Sequence, residues 1–73
     1  MKPLGQRIKE ELERQERTVS WFAQKLMCNR ANVYNIFMRE SIDTALLMRI
    51  SKVLHYNFFK EMSDEAERDE YLS

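Results

Sequence analysis

Glycine and proline are nearly absent from this chain: there is one of each, Pro3 and Gly5, and neither recurs after position 5. Every later turn must then be made by Asn, Asp or Ser, a constraint that an all-helical fold tolerates best. The single cysteine, Cys28, excludes an internal disulfide. No apolar run approaches the roughly 18 residues of a membrane span, and none resembles a signal peptide. The expected compartment is therefore reducing and cytoplasmic. Catalytic signatures are missing as well. The chain has no glycine-rich phosphate loop, no pairing of a nucleophile with a base and no cluster of metal ligands. His55 has no carboxylate or cysteine at ligand spacing. Seventy-three residues make one domain whose core is too small to enclose a substrate cleft. No enzyme activity, metal, cofactor or small-molecule ligand is expected.

An excess of either charge is also missing: twelve Lys and Arg balance twelve Asp and Glu. That neutrality would argue against a nucleic-acid partner if the charges were mixed. They are not. Residues 17–60 carry Arg17, Lys25, Arg30, Arg39, Arg49, Lys52 and Lys60 against Glu40 and Asp43, which is seven against two, or +5. Residues 61–73 carry six acidic side chains against Arg68, or −5, and the first sixteen residues balance. Surface potential depends on charge within about 8–10 Å at physiological salt, so the middle of the chain can attract phosphates despite the acidic end.

What the chain does have is helical periodicity. In residues 18–37, TVSWFAQKLMCNRANVYNIF, the apolar Val19, Phe22, Ala23 and Leu26 fall at i, i+3, i+4 and i+7. Val33, Ile36 and Phe37 repeat the pattern after a turn of three or four residues. Two helices that cross steeply approach closely only at a small residue, and Ala23 is placed to be that contact. Thr18 and Asn29 are suited to cap the two helices, the second of which should reach Arg39. Upstream, Leu4, Ile8 and Leu12 line one face of a helix over residues 4–15. Its other face, with Arg7, Lys9, Glu10, Glu11, Glu13 and Arg14, reads as solvated. Downstream, Asp43 as N-cap with Ile42 and Leu47 as a hydrophobic staple starts a helix whose buried stripe is Leu46, Leu47, Ile50, Val53 and Leu54. His55-Tyr56-Asn57 reads as a break before a short helix over residues 58–62. Residues 63–73 read as an acidic tail or a frayed helix. The five methionines and Cys28 read as core filler, and Trp21 as a half-covered core residue.

These spacings together resemble the lambda-repressor-like, Xre-type helix-turn-helix domains. The shared elements are the small Ala23, Leu26 three positions later, a tight turn, and Val33 and Ile36 ten and thirteen positions after Ala23. Ile8 and Leu12 precede the motif, and SIDTALLMRISKVLHYNFF follows it like the family's fourth and fifth helices. The resemblance covers about residues 4–62 and implies a compact five-helix, all-α bundle with the helix-turn-helix in helices 2 and 3, occupying residues 1–62. Two positions depart from the family. Met27 stands where Gly is usual, a place that commonly takes the left-handed conformation. Val19 stands where Gln often reaches a phosphate, which leaves that contact to Ser20 or to the helix's own N-terminal amides.

The resemblance implies sequence-specific binding of double-stranded DNA by a small bacterial or mobile-element transcriptional regulator, associated with the nucleoid. Base contacts fall on Arg30, Ala31, Asn32 and Asn35. Arg can hold guanine O6 and N7, Asn can hold adenine N6 and N7, and the Ala methyl can touch the thymine methyl. Asn32 reads equally as an ordinary helix residue. Phosphate contacts fall on Ser20, Lys25, Asn29, Tyr34, Arg39 and Ser41, with Asn29 serving first as a cap. Family members usually bind two-fold sites as pairs. The large apolar Phe58, Phe59 and Met62 near the end of the domain accordingly read as the interface of a weak homodimer, with one of Phe58 and Phe59 folding back onto helices 1 and 4 as core. The acidic segment and the neutral total charge favour an alternative, a helical protein-interaction module such as an antitoxin-like or anti-repressor partner.

Overall fold

The structure, a computed structural model, describes residues 2–72 and the side chains of residues 2–68. Among these residues there are five helices and no strand: α1 (Leu4–Arg14), α2 (Val19–Lys25), α3 (Arg30–Phe37), α4 (Thr44–Leu54) and α5 (Phe58–Leu72). Helices α1 to α4 contribute most of their expected apolar positions to one core, with Val19, Phe37, Leu46 and Val53 only partly buried against it. That core is built from Leu4, Ile8 and Leu12 of α1, Phe22 and Ala23 of α2, Val33 and Ile36 of α3, and Leu47, Ile50 and Leu54 of α4. The caps follow the expected chemistry. Thr18 Oγ1 accepts from the Trp21 amide at 3.0 Å, Asn29 Oδ1 from the Asn32 amide at 2.9 Å and Asp43 Oδ1 from the Leu46 amide at 2.9 Å.

Gly5 fixes where α1 meets α3. The Leu4 and Gly5 amides, which have no partner inside α1, donate to the Glu40 and Arg39 carbonyls at 3.1 and 2.9 Å. Backbone thus caps backbone. A Cβ at position 5 would lie 2.2 Å from the Ile36 carbonyl oxygen and 2.6 Å from that of Phe37, so only glycine permits the approach.

Turn chemistry departs from expectation. Asn, Asp and Ser do not close the helices; Glu16, Met27 and His55 do, with φ of 57°, 58° and 51°. All three sites share one pattern. Arg17 N donates to Leu12 O and Glu16 N to Glu13 O, Cys28 N to Ala23 O and Met27 N to Gln24 O, and Tyr56 N to Ser51 O and His55 N to Lys52 O. These pairs are the 6→1 and 5→2 bonds of a Schellman motif, here made three times without glycine. Two satisfied carbonyls per helix end outweigh a left-handed cost of roughly 1–2 kcal/mol per residue. Because the Met27 side chain is 88% exposed, Met27→Gly removes strain while losing almost no burial. A thermal melt of that variant is expected to run a few degrees higher than wild type, and a loss of several degrees would refute the strain.

Several placements correct the sequence-based expectations. Glu11, expected on the solvated face of α1, is 3% exposed. It accepts from Arg14 Nε at 3.0 Å and from Gln15 Nε2 at 2.7 Å, and the same Gln15 amide donates to the Leu54 carbonyl at 2.8 Å. The methionines are not core filler. Met27, Met38 and Met48 are exposed, Met62 is half-buried, and Met1 lies outside the described residues. Phe58, expected at a dimer interface, is fully buried and belongs to the core, which leaves only Phe59 and Met62 half-exposed. α3 stops at Phe37, two residues short of Arg39, because the chain must turn there to offer the Arg39 and Glu40 carbonyls to α1. The expected short last helix instead runs to Leu72 through the acidic segment. Good helix formers and the i,i+4 pair Lys60–Asp64, at 3.1 Å, support it.

Arg7 binds α5 back onto α1. Its Nε and Nη2 donate to the two Glu61 oxygens at 2.9 and 2.7 Å, and Tyr56 donates to Glu61 Oε1 at 2.5 Å. The Arg7 guanidinium holds the Glu61 carboxyl below the usual carboxylate range against the opposing effect of burial, and Arg14 does the same for Glu11. Carboxyls depressed in the folded state stabilise it above the unfolded value near 4.3, and that contribution is lost as pH falls through the folded values. Glu61 and burial push the Tyr56 phenol up, so its contribution is present below about 10 and is lost at higher pH. Stability is therefore expected to be flat near neutrality and to fall on both sides. Denaturant midpoints from pH 3 to 11 test this, with Glu61→Gln removing the Glu61 share of the acid-side loss and shrinking the alkaline-side loss that Tyr56 imposes.

Candidate nucleic-acid interface

α2 and α3 are joined by residues 26–29, in which the Met27 motif ends α2 and the Asn29 cap starts α3. Ala23 is buried, as a close approach of the two helices requires. With Val33 and Ile36 committed to the core, α3 turns Arg30, Ala31, Asn32, Tyr34 and Asn35 outward, and all five are exposed. Asn29 Oδ1 is used by the cap, so any phosphate contact from Asn29 falls to its amide nitrogen.

Two clefts flank α3. On the α4 side Asn32, Asn35 and Arg39 line a cleft of about 270 Å³ together with Arg49, Cys28 and Leu46. On the α1 side Tyr34, Phe37 and Met38 line an apolar groove of about 420 Å³ with Leu12 and Val19. The Tyr34 ring meets Phe37 edge-on, with centroids 6.3 Å apart, which orients the ring without burying it. Ala31 lines neither cleft and sits on the crest between them.

Lys25 does not join this set. It lines a separate cleft with Arg17, Trp21 and Lys52, in which the Arg17 guanidinium lies 4.5 Å from the Trp21 ring centroid. Ser20 and Ser41 are exposed in the first turn of α2 and in the loop after α3. Arg49 is the residue that the sequence did not single out. Its Nη2 donates to the Leu26 carbonyl at 2.7 Å, tying α4 to the end of α2. Its place three residues after Leu46, at the edge of the apolar stripe, was a visible signal, but a partner 23 residues away was not.

Charge pairing divides the molecule in two. Lys2, Arg7, Arg14, Lys60 and Arg68 all form ion pairs, and all precede or belong to α1 or belong to α5. Among the described residues Lys9, Arg17, Lys25, Arg30, Arg39, Arg49 and Lys52 form none, so that all but Lys9 lie between α1 and the end of α4, and of these only Arg49 makes a side-chain hydrogen bond. Cations without carboxylate partners keep their full field for an external anion. No group of three His, Cys, Asp or Glu side chains could hold a metal ion, and no helix is long and apolar enough to cross a membrane, among the described residues. Comparison of the chain with protein-family models, curated proteins and solved structures gave no match.

Proposed function

We propose that this chain is a lambda-repressor-like helix-turn-helix protein that binds double-stranded DNA in a sequence-specific manner, with α3 in the major groove, and acts as a small transcriptional regulator in the cytoplasm. The observation that carries the reading is the concentration of unpaired cations, all but Lys9, between α1 and the end of α4, around an exposed α3 that bears Arg30, Asn32 and Asn35. Arg39 and Arg49 flank α3 at the α4 cleft and supply phosphate contacts, which set register and affinity. Arg30 and Asn35 read base edges. Two copies on a two-fold site, with half-sites roughly 34 Å apart, would offset the few base pairs that one α3 can read. Phe59 and Met62 are the half-exposed apolar side chains available for that weak homodimer.

Fluorescence anisotropy with mixed-sequence duplex at 50 and 200 mM salt tests the reading. With three or four phosphates neutralised, affinity is expected to fall on the order of 10²-fold between the two salts. Binding that is absent, or insensitive to salt, would refute it. A finer expectation separates the roles. Arg30→Ala should cost about 1–3 kcal/mol at the preferred site and relax the base preference there, whereas Arg39→Ala should weaken all sequences alike. Lys25→Ala, in the separate cleft, should do less than either. Site selection with the three variants reads this directly.

A further inference from the structure

The outward crest of α3 is less polar than a reading surface built on arginine alone. Ala31, Tyr34, Asn35 and Met38 fall at i, i+3, i+4 and i+7 and so share one face of the helix. Met38, the C-cap of α3 at φ −92° and ψ −3°, is 85% exposed, and Tyr34 is 55% exposed. Arg30, four residues before Tyr34, lies at the edge of that face; its centre carries no charge, and Asn35 is its one amide. The centre of such a face matches a groove wall made of guanine acceptors and cytosine donors poorly, because only the Asn35 carboxamide and the Tyr34 hydroxyl can hydrogen-bond there. It does match a wall that presents methyl groups beside adenine. In the major groove only the A·T pair presents a methyl, and Asn is the side chain that pairs bidentately with adenine N6 and N7.

We infer that this face selects an A·T-rich core in its DNA site, with Ala31, Tyr34 and Met38 packing on thymine methyls and Asn35 holding an adenine. The inference rests on the DNA-binding reading and specifies the sequence class that reading leaves open. Charge complementarity favours DNA over an apolar protein as the occupant. The crest is bordered by Arg39 and Arg49 in the α4 cleft, and neither is paired with a carboxylate. That places unneutralised cations where the phosphates beside a groove would run.

The test replaces thymine by uracil, which keeps the pairing and removes only the methyl, at each A·T pair of the best duplex from a site selection. Each contacted thymine is expected to lose roughly fourfold in affinity when its methyl is removed. Met38→Ala, at a position too exposed to affect folding, should abolish that sensitivity at one thymine and leave it at the others. A selected core of G·C pairs, or a site indifferent to uracil throughout, would overturn the inference while the salt-dependent binding of duplex still supported the DNA reading. If no duplex binds at either salt, both fall, and the apolar crest and its groove are a protein-docking face.

Discussion

Gly5→Ala is expected to cost at least about 3 kcal/mol, the upper range for overpacking a filled interior. The atoms in the way are the carbonyl oxygens of Ile36, Phe37 and Arg39, at 2.2, 2.6 and 2.7 Å from the added carbon. None is the far end of a flexible side chain, so the backbone must move. Movement in turn breaks the bonds from the Leu4 and Gly5 amides to the Glu40 and Arg39 carbonyls. At roughly 0.05–0.15 kcal/mol per residue a domain this small has about 4–11 kcal/mol in all. A loss of about 3 kcal/mol should lower the melting temperature by at least 12 °C. Denaturant titration of the purified variant measures it, and a change under 1 kcal/mol would mean that α1 does not approach α3 as described. Because the same contact positions the end of α3 and Arg39, a variant rescued by low temperature should still bind DNA more weakly than wild type.

Phe58 and Phe59 are adjacent, yet their substitutions are expected to part company. Phe58 is fully buried and meets the Tyr56 ring edge-on, with centroids 4.7 Å apart, and Tyr56 in turn donates to Glu61. Phe58→Ser should cost at least the roughly 3–5 kcal/mol typical of Phe→Ala in a core, and should release the Arg7–Glu61 clamp with it. Phe59 is half-buried, so Phe59→Ser should leave most of the stability intact and instead weaken self-association. Melts of both variants, with sedimentation of wild type and Phe59→Ser at high micromolar concentration, separate the effects. A Phe58→Ser protein as stable as wild type would remove Phe58 from the core. A dimer equally tight with Phe59→Ser would remove Phe59 from the interface.

Periodicity and caps made the five helices and their inward faces readable before any coordinates. Val33 and Ile36, for example, follow from spacing alone, and so do the Thr18, Asn29 and Asp43 caps. What spacing could not convey were contacts between distant segments. Glu11 looks like one more charge on a charged face until Gln15 and the Leu54 carbonyl are placed beside it. Gly5 has no local reason to be glycine, because its cause lies more than thirty residues away. Met38 departs for a different reason: apolar character alone does not imply burial, and its register with Ala31 and Tyr34 puts it on the outer face. The length of α5 was ambiguous because its helix-forming residues carry no apolar stripe to mark how far it extends.

The contacts of α1 also bear on how the chain is made. α1 precedes the other four helices along the chain, yet its partners are Arg39 and Glu40, the Leu54 carbonyl and Glu61. At about 5–20 residues per second, Glu61 is added roughly 2–9 s after Gln15. An isolated eleven-residue helix is marginal in water, so Leu4, Ile8 and Leu12 stay uncovered until the α2, α3 and α4 residues that share their core have been added. The Arg7–Glu61 clamp closes later still. Until those core residues are added the nascent protein offers a chaperone an apolar segment that the finished molecule hides completely.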